Sequence, residues 1–121
     1  MEREEFEKVV EEVIESLPEI FREKLENLVI IVEDWPSNSD LKSLGLRSRD
    51  TLFGLYKGVP LTKRGALFGN FPPDCIVIFK KPLEKAFRDI NDMKREIAKT
   101  VMHEIAHHFG FDEEMLRKLG Y

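Results

Sequence analysis

Three features of the sequence predict a single α+β domain: helical periodicity at both ends, three short apolar runs of strand composition between them, and a length of 121 residues. That length holds one hydrophobic core and not two. With 42% hydrophobic and 35% charged residues, the chain has enough apolar material to fold and too much for a disordered polyelectrolyte. One domain over residues 1–121 is therefore expected, with no repeat and no internal linker.

The first element is read from Phe6, Val9, Val10, Val13, Ile14 and Leu17, which fall on one face of a helix running from Glu2 to Leu17. Acidic residues fill the opposite, solvated face. Ser16 followed by Glu19 has the form of a capping box with Pro18 in the first turn, so a second short helix is expected to reach Leu25 or Glu26. Leu28-Val29-Ile30-Ile31-Val32 has the length and β-branched composition of a buried strand. Ser37 to Asp50 reads as a loop with one helical turn near Leu41 to Leu44. Thr51 to Lys57 reads as a second strand ended by Gly58 and Pro60, and Gly54 and Pro60 suit an edge position. Leu61 to Pro73, with its glycines and prolines, reads as an extended surface loop.

Cys75 to Phe79 is the third expected strand, stopped by Lys80-Lys81-Pro82, with a short helix after Pro82 through about Asp89. Asn91 or Asp92 is a candidate cap for the helix that follows. In that helix Met93, Ile97, Val101, Ile105 and Phe109 recur every four residues as an apolar stripe for the sheet. Gly110 ends it, as a left-handed terminal position prefers, and a last short helix is expected from Asp112 to Lys118.

Composition also excludes classes of function. A net charge of −4, without clustered Lys and Arg, provides no footprint for nucleic acid or an anionic membrane. No apolar run approaches the length of a membrane span, and the acidic N-terminus is unlike a signal peptide. The single cysteine, Cys75, lies in an apolar run and reads as a small buried hydrophobe in a reducing, cytoplasmic setting. Lys80-Lys81 is too short a basic run to mark a nucleic-acid site, and Trp35 reads as a core or loop-anchoring aromatic.

The chemistry is concentrated in His103-Glu104-Ile105-Ala106-His107. Residues four apart lie one above the other on a helix, so His103 and His107 present two imidazoles to one Zn²⁺ ion. At 100° per residue both project away from the apolar stripe. Glu104, one position along, sits where a general base acts on water at the metal. With this chain's own His and Glu frequencies the pattern arises by chance in roughly one such chain in a hundred, so context has to decide. The context agrees, because the motif lies on an amphipathic helix and Gly110 follows His107 where a chain reversal brings a later side chain back. Glu113 occupies the third-ligand position of H-E-x-x-H-x-x-G-x-x-[H/D]. Asp112 is its rival, as a ligand or as a carboxylate that orients a ligand histidine. A cap at Asp112 with Glu113 and Glu114 in the first turn is the plain structural alternative. His108, about 100° from His107, reads as structural or as a hydrogen-bond donor to a group that touches the metal. Tyr56, Arg64 and Tyr121 are each candidates to stabilise a developing oxyanion.

Four stretches together resemble the small zincin-like metallopeptidase domains, also called minimal zincins. They are His103 to Gly110, Leu116 to Tyr121, Leu52 to Thr62, and Pro73 to Phe79, within a resemblance reaching from Leu28 to Tyr121. The resemblance implies a pared-down α+β zincin fold, with a three- to four-stranded mixed sheet packed on the active-site helix between N- and C-terminal helices. It also implies a zinc peptidase site. Glu113 is a departure, since that family carries Asp or Ser at the matching position.

The expected activity is hydrolysis of peptide bonds in short peptides or unfolded protein, with Zn²⁺ on His103, His107 and Glu113 and with Glu104 as base. An extended substrate is expected to pair along the Leu52 to Lys57 edge. The alternative is a zinc-binding module that captures extended peptides on the same edge without turning them over. The two differ in whether Glu104 matters.

Overall fold

The computed structural model of the chain describes residues 1–26, 28–58 and 74–118. Helix α1 (Arg3–Ser16) buries Phe6, Val10 and Val13 and leaves its glutamates in solvent. Leu17 ends it in extended conformation, and Pro18 opens α2 (Glu19–Leu25). The expected capping box at this junction does not form. Ser16 is still inside α1, where its hydroxyl donates to the Val13 carbonyl at 2.7 Å, so it is not placed to cap α2.

Strand β1 (Leu28–Glu33) forms where the β-branched run predicts it. It is not a buried strand, however, because Val29 and Ile31 are 40% and 36% exposed. Leu28, Ile30 and Val32 pack on the core from one face of the sheet, while Val29 and Ile31 point to the other face, which is open to water; among the described residues β1 is also a rim strand. The next segment is more ordered than a loop. Helix α3 (Asn38–Ser43) is set by a reciprocal cap in which the Asp40 amide donates to Ser37 Oγ and the Ser37 amide donates to Asp40 Oδ2, both at 3.0 Å. A 3-10 turn over Arg49–Thr51 follows. Trp35 is half-buried there with the Arg49 guanidinium 4.1 Å from its ring centroid, the anchoring role expected of it.

Strand β2 (Gly54–Gly58) and strand β3 (Asp74–Phe79) complete a three-stranded mixed sheet among the described residues, in the order β1-β3-β2. β1 runs parallel to β3, with Leu28 opposite Asp74 and Glu33 opposite Phe79. β2 runs antiparallel to β3, with Gly54 opposite Ile78 and Gly58 opposite Asp74, which puts β2 at an edge as expected. The stretch read as an extended loop, Leu61 to Pro73, lies outside the described residues.

β3 leads straight into helix α4 (Lys80–Ala86), so Lys80-Lys81-Pro82 starts the helix instead of preceding it. Pro82 falls in the first turn, where its missing N–H has no helical acceptor to lose. α4 ends before Asp89 because Asp89 caps the next helix: its Oδ1 accepts from the amides of Asn91 and Asp92 at 2.7 and 3.2 Å. Helix α5 (Ile90–Phe109) therefore begins before both expected caps, with Asn91 and Asp92 already inside its first turn. Met93, Ile97, Val101 and Ile105 are fully buried as predicted, joined by Met102 and Ala106. Phe109 departs from the stripe at 41% exposure. As the last helical residue it extends past the packed layer under the Lys24 ammonium, and Phe111 packs on Phe21 in its place, with ring centroids 5.4 Å apart. Helix α6 (Glu113–Lys118) closes the described chain.

α5 is the hub, in contact with α1, α2, β2 and β3. One core joins Phe6, Val10 and Val13 of α1, Phe21 of α2, Ile76 and Ile78 of β3, and Met93, Ile97, Val101 and Ile105 of α5. No helix among the described residues is long and apolar enough to cross a membrane.

Candidate metal centre

The site follows from which face of α5 is left over once the core is built. Burial of the stripe fixes the rotation of the helix, and the opposite side presents His103, His107 and His108 to solvent with Glu104 half-exposed. The rings of His103 and His107 lie one turn apart, 5.1 Å between centroids and 22° between planes. Among the described residues no hydrogen bond engages either ring or the Glu104 carboxylate, so their donor and acceptor atoms are free for a ligand.

Two clefts meet at this histidine pair. One, of about 600 Å³, is walled by Ala106, Gly110, Phe111, Glu113, Leu116 and Arg117. It exists because Gly110 reverses the chain at φ 71°, ψ 30°, a conformation that costs other residues but not glycine, while the Phe111 amide donates to the Ala106 carbonyl at 2.9 Å. The turn lays α6 beside the end of α5 and puts Glu113 in the same cleft as both histidines. Asp112 is engaged otherwise. Its Oδ1 accepts from the Met115 amide at 2.7 Å as the cap of α6.

The other cleft, of about 700 Å³, runs between His103, Glu104, His107 and His108 on one side and Leu55 to Gly58 of β2 on the other, with Asp40, Ser43 and Leu44 of α3 at its end. Its walls are pinned at two points. Lys57 Nζ lies 3.1 Å from Asp40 Oδ1 and ties β2 to α3. Burial raises the Asp40 carboxyl, but hydrogen bonds from Ser37 and Lys57 outweigh it and the net result is below the ordinary aspartate value. At the second point the His108 ring stacks on Tyr56, 3.7 Å between centroids and 12° between planes. The Tyr56 hydroxyl donates to Asp74. Of the two readings its position on the helix allows, this stacking agrees with the structural one.

Gly54 decides how close β2 comes to the motif. A β-carbon there would lie 2.6 Å from Thr100 Cγ2 and 3.2 Å from the Val77 carbonyl oxygen, so no other residue permits this approach. Thr100 is one turn before Glu104, and Gly54, Thr100, His103 and Glu104 share a smaller cleft of about 190 Å³. The sequence marked Gly54 only as an edge feature. Lys57 is legible in the sequence only as the end of the expected edge strand, and Asp40 and Ser43 only as loop, because nothing in their spacing ties them to residues 103–108.

The donor chemistry of the exposed histidine pair fits a divalent transition metal such as zinc, for which imidazole is a preferred ligand. Among the described residues no group of three His, Cys, Asp or Glu is gathered closely enough to hold one. Glu113 shares the cleft without completing such a group. Of the oxyanion candidates, Tyr56 has its hydroxyl on Asp74, while Arg64 and Tyr121 lie outside the described residues. Cys75 is half-buried, with its thiol raised first by desolvation, and takes no part in the clefts.

The fold and the histidine face agree with what comparison with known proteins finds. No curated protein matches the chain. Residues 25–121, most of its length, match the family described as zincin-like metallopeptidase, and the chain belongs to that family.

Proposed function

We propose that the protein is a zinc-dependent peptidase in which His103 and His107 hold the metal, Glu113 is the third protein ligand, and Glu104 is the general base. The observation that supports this best is the pair of stacked, unengaged imidazoles at the junction of two clefts, with Glu104 on the same exposed face. Zn²⁺, when bound, supplies the Lewis acidity that acidifies water and polarises a peptide carbonyl.

Glu104 takes the proton of the attacking water and delivers it to the leaving amine as the C–N bond breaks. β2 orients the substrate. Among the described residues no strand pairs with its outer edge, its residues Leu55 to Gly58 line the cleft beside Glu104, and an extended peptide pairs with that edge main chain to main chain. The clefts are open to solvent, which suits short or unfolded peptides. Ala106, Phe111 and Leu116 offer an apolar wall on the α6 side.

The test is zinc content together with turnover of a peptide library. About one zinc per chain is expected, lost when both His103 and His107 are changed to Ala. Cleavage is expected from the wild-type chain and not from Glu104→Gln. Zinc and peptide binding without cleavage in either chain would instead show a capture module, and no zinc even when offered would remove the mechanism.

A further inference from the structure

The rim strand β1 lies on the opposite side of the sheet from β2 and shares no residue with the histidine clefts. Among the described residues nothing pairs with its outer edge. In an extended strand the N–H and C=O of one residue point to the same side and alternate from residue to residue. The Arg3 guanidinium donates to the Val32 carbonyl, so Val32, Ile30 and Leu28 aim their main-chain groups outward. Arg3 occupies the Val32 end and leaves Leu28 and Ile30 to pair. The strand holds no Lys, Pro or bulge of the kind that protects natural edges, and it exposes Val29 and Ile31.

Beside this edge runs a groove of about 550 Å³ with an apolar floor of Val10, Ile14 and Ile30. Glu7, Glu11 and Glu15 form its rim, one per turn of α1. Arg3 pairs with Glu7 at 3.1 Å, whereas Glu11 and Glu15 meet no cation among the described residues. We propose that this edge and groove receive an extended segment of a partner protein with Lys or Arg at alternate positions, added as a fourth strand beside β1. Its basic side chains lie with their aliphatic stems over Val10 and Ile14 and their charges against Glu11 and Glu15. Its intervening residues fall on the side of Val29 and Ile31 and are apolar. A second copy of this chain is the poorer occupant, because pairing β1 with β1 would bring two acidic rims together.

The test is an amide-resolved NMR titration of the full-length Glu104→Gln chain, which prevents cleavage of the probe. The probe is a blocked synthetic peptide of alternating lysine and valine, and the control replaces lysine with glutamate. Saturable shifts are expected at Leu28 to Val32 and along α1 with the lysine peptide alone. A Glu11→Lys, Glu15→Lys double variant, at solvent-exposed positions, should weaken binding by about tenfold. N-methylation of alternate peptide amides on the pairing side should abolish it. Equal binding of both peptides, or no loss in the double variant, overturns the proposal. Shifts confined to β2 and the histidine clefts overturn it too while leaving the peptidase reading standing, and concentration-dependent self-association through β1 assigns the edge to a second copy instead.

Discussion

In the proposed mechanism Glu104 is the residue on which the chemistry turns, and it sits half-exposed on the uncovered face of α5, where replacement has little packing cost. Glu104→Gln is expected to lower turnover by about a hundred- to ten-thousand-fold, the usual worth of a general acid–base group, with zinc content and thermal stability unchanged. Steady-state kinetics beside elemental analysis checks this. Gly110 carries the opposite kind of burden. Its φ of 71° means that Gly110→Ala should cost about 1–2 kcal/mol and disturb the approach of α6 to the histidines, while Gly110→Asn costs less. Denaturant melts and zinc affinity measured together separate the two effects. At this scale the sequence was highly legible where a motif has fixed spacing. His103, Glu104, His107 and Gly110 all fall on the exposed side or end of α5 as their positions predict. Contacts formed across the fold, such as His108 on Tyr56 or Lys57 on Asp40, leave no trace in spacing and were not readable.

The elements show why some local signals worked and others failed. Apolar periodicity placed α1 and α5 because one wide face of each helix is buried. It failed at Phe109, where the period continues but the partner surface ends. Capping signals were ambiguous in the same way. Ser16-x-x-Glu19 and Ser37-x-x-Asp40 have the same form, yet Ser16 is held inside α1 by the Val13 carbonyl while Ser37 truly caps α3. Composition gave β1 correctly as a strand but could not show that among the described residues its neighbour lies on one side only, since sheet order depends on the distant β3. The contact between β2 and α5 yields a test of its own. Gly54→Ala is expected to destabilise the fold by about 1–3 kcal/mol through overlap with Thr100 Cγ2. Thr100→Ser, which removes that methyl, should recover part of the loss, and a double-mutant cycle by thermal melting measures the coupling.

Across the whole molecule, stability should depend on acid in a specific direction. Burial raises the Asp40 and Glu84 carboxyls, but their partners, Ser37 and Lys57 for the first and Lys80 and the chain terminus for the second, hold both below their ordinary values of 3.8 and 4.5. A carboxyl lowered in the folded state contributes stability that is present above its unfolded pKa and is lost as pH falls through the folded value. Melting temperature should therefore decline below about pH 4.5, and Asp40→Asn should flatten part of that decline. Lys80, raised first by its 2.8 Å hydrogen bond to Glu84, acts at the alkaline end, with its contribution lost only as pH climbs past 10.5. If the proposed site holds zinc, the ion should add to this with the logarithm of its affinity. At a free concentration a hundredfold above Kd it contributes about 2.7 kcal/mol, and removal with a chelator reverses the shift.

The order β1-β3-β2 also governs how the molecule comes into being. The strand at the centre of the sheet is the last of the three to be synthesised, and the helix that carries the histidines follows it. During translation β1 and β2 emerge with no middle strand between them, and neither gains its described partner until Asp74 to Phe79 has left the ribosome. The sheet therefore closes through contacts distant in sequence, which slows folding and leaves the apolar strand β1 waiting in the nascent chain. The helix that carries His103 and His107 finds its place on the sheet only after this central strand is in position.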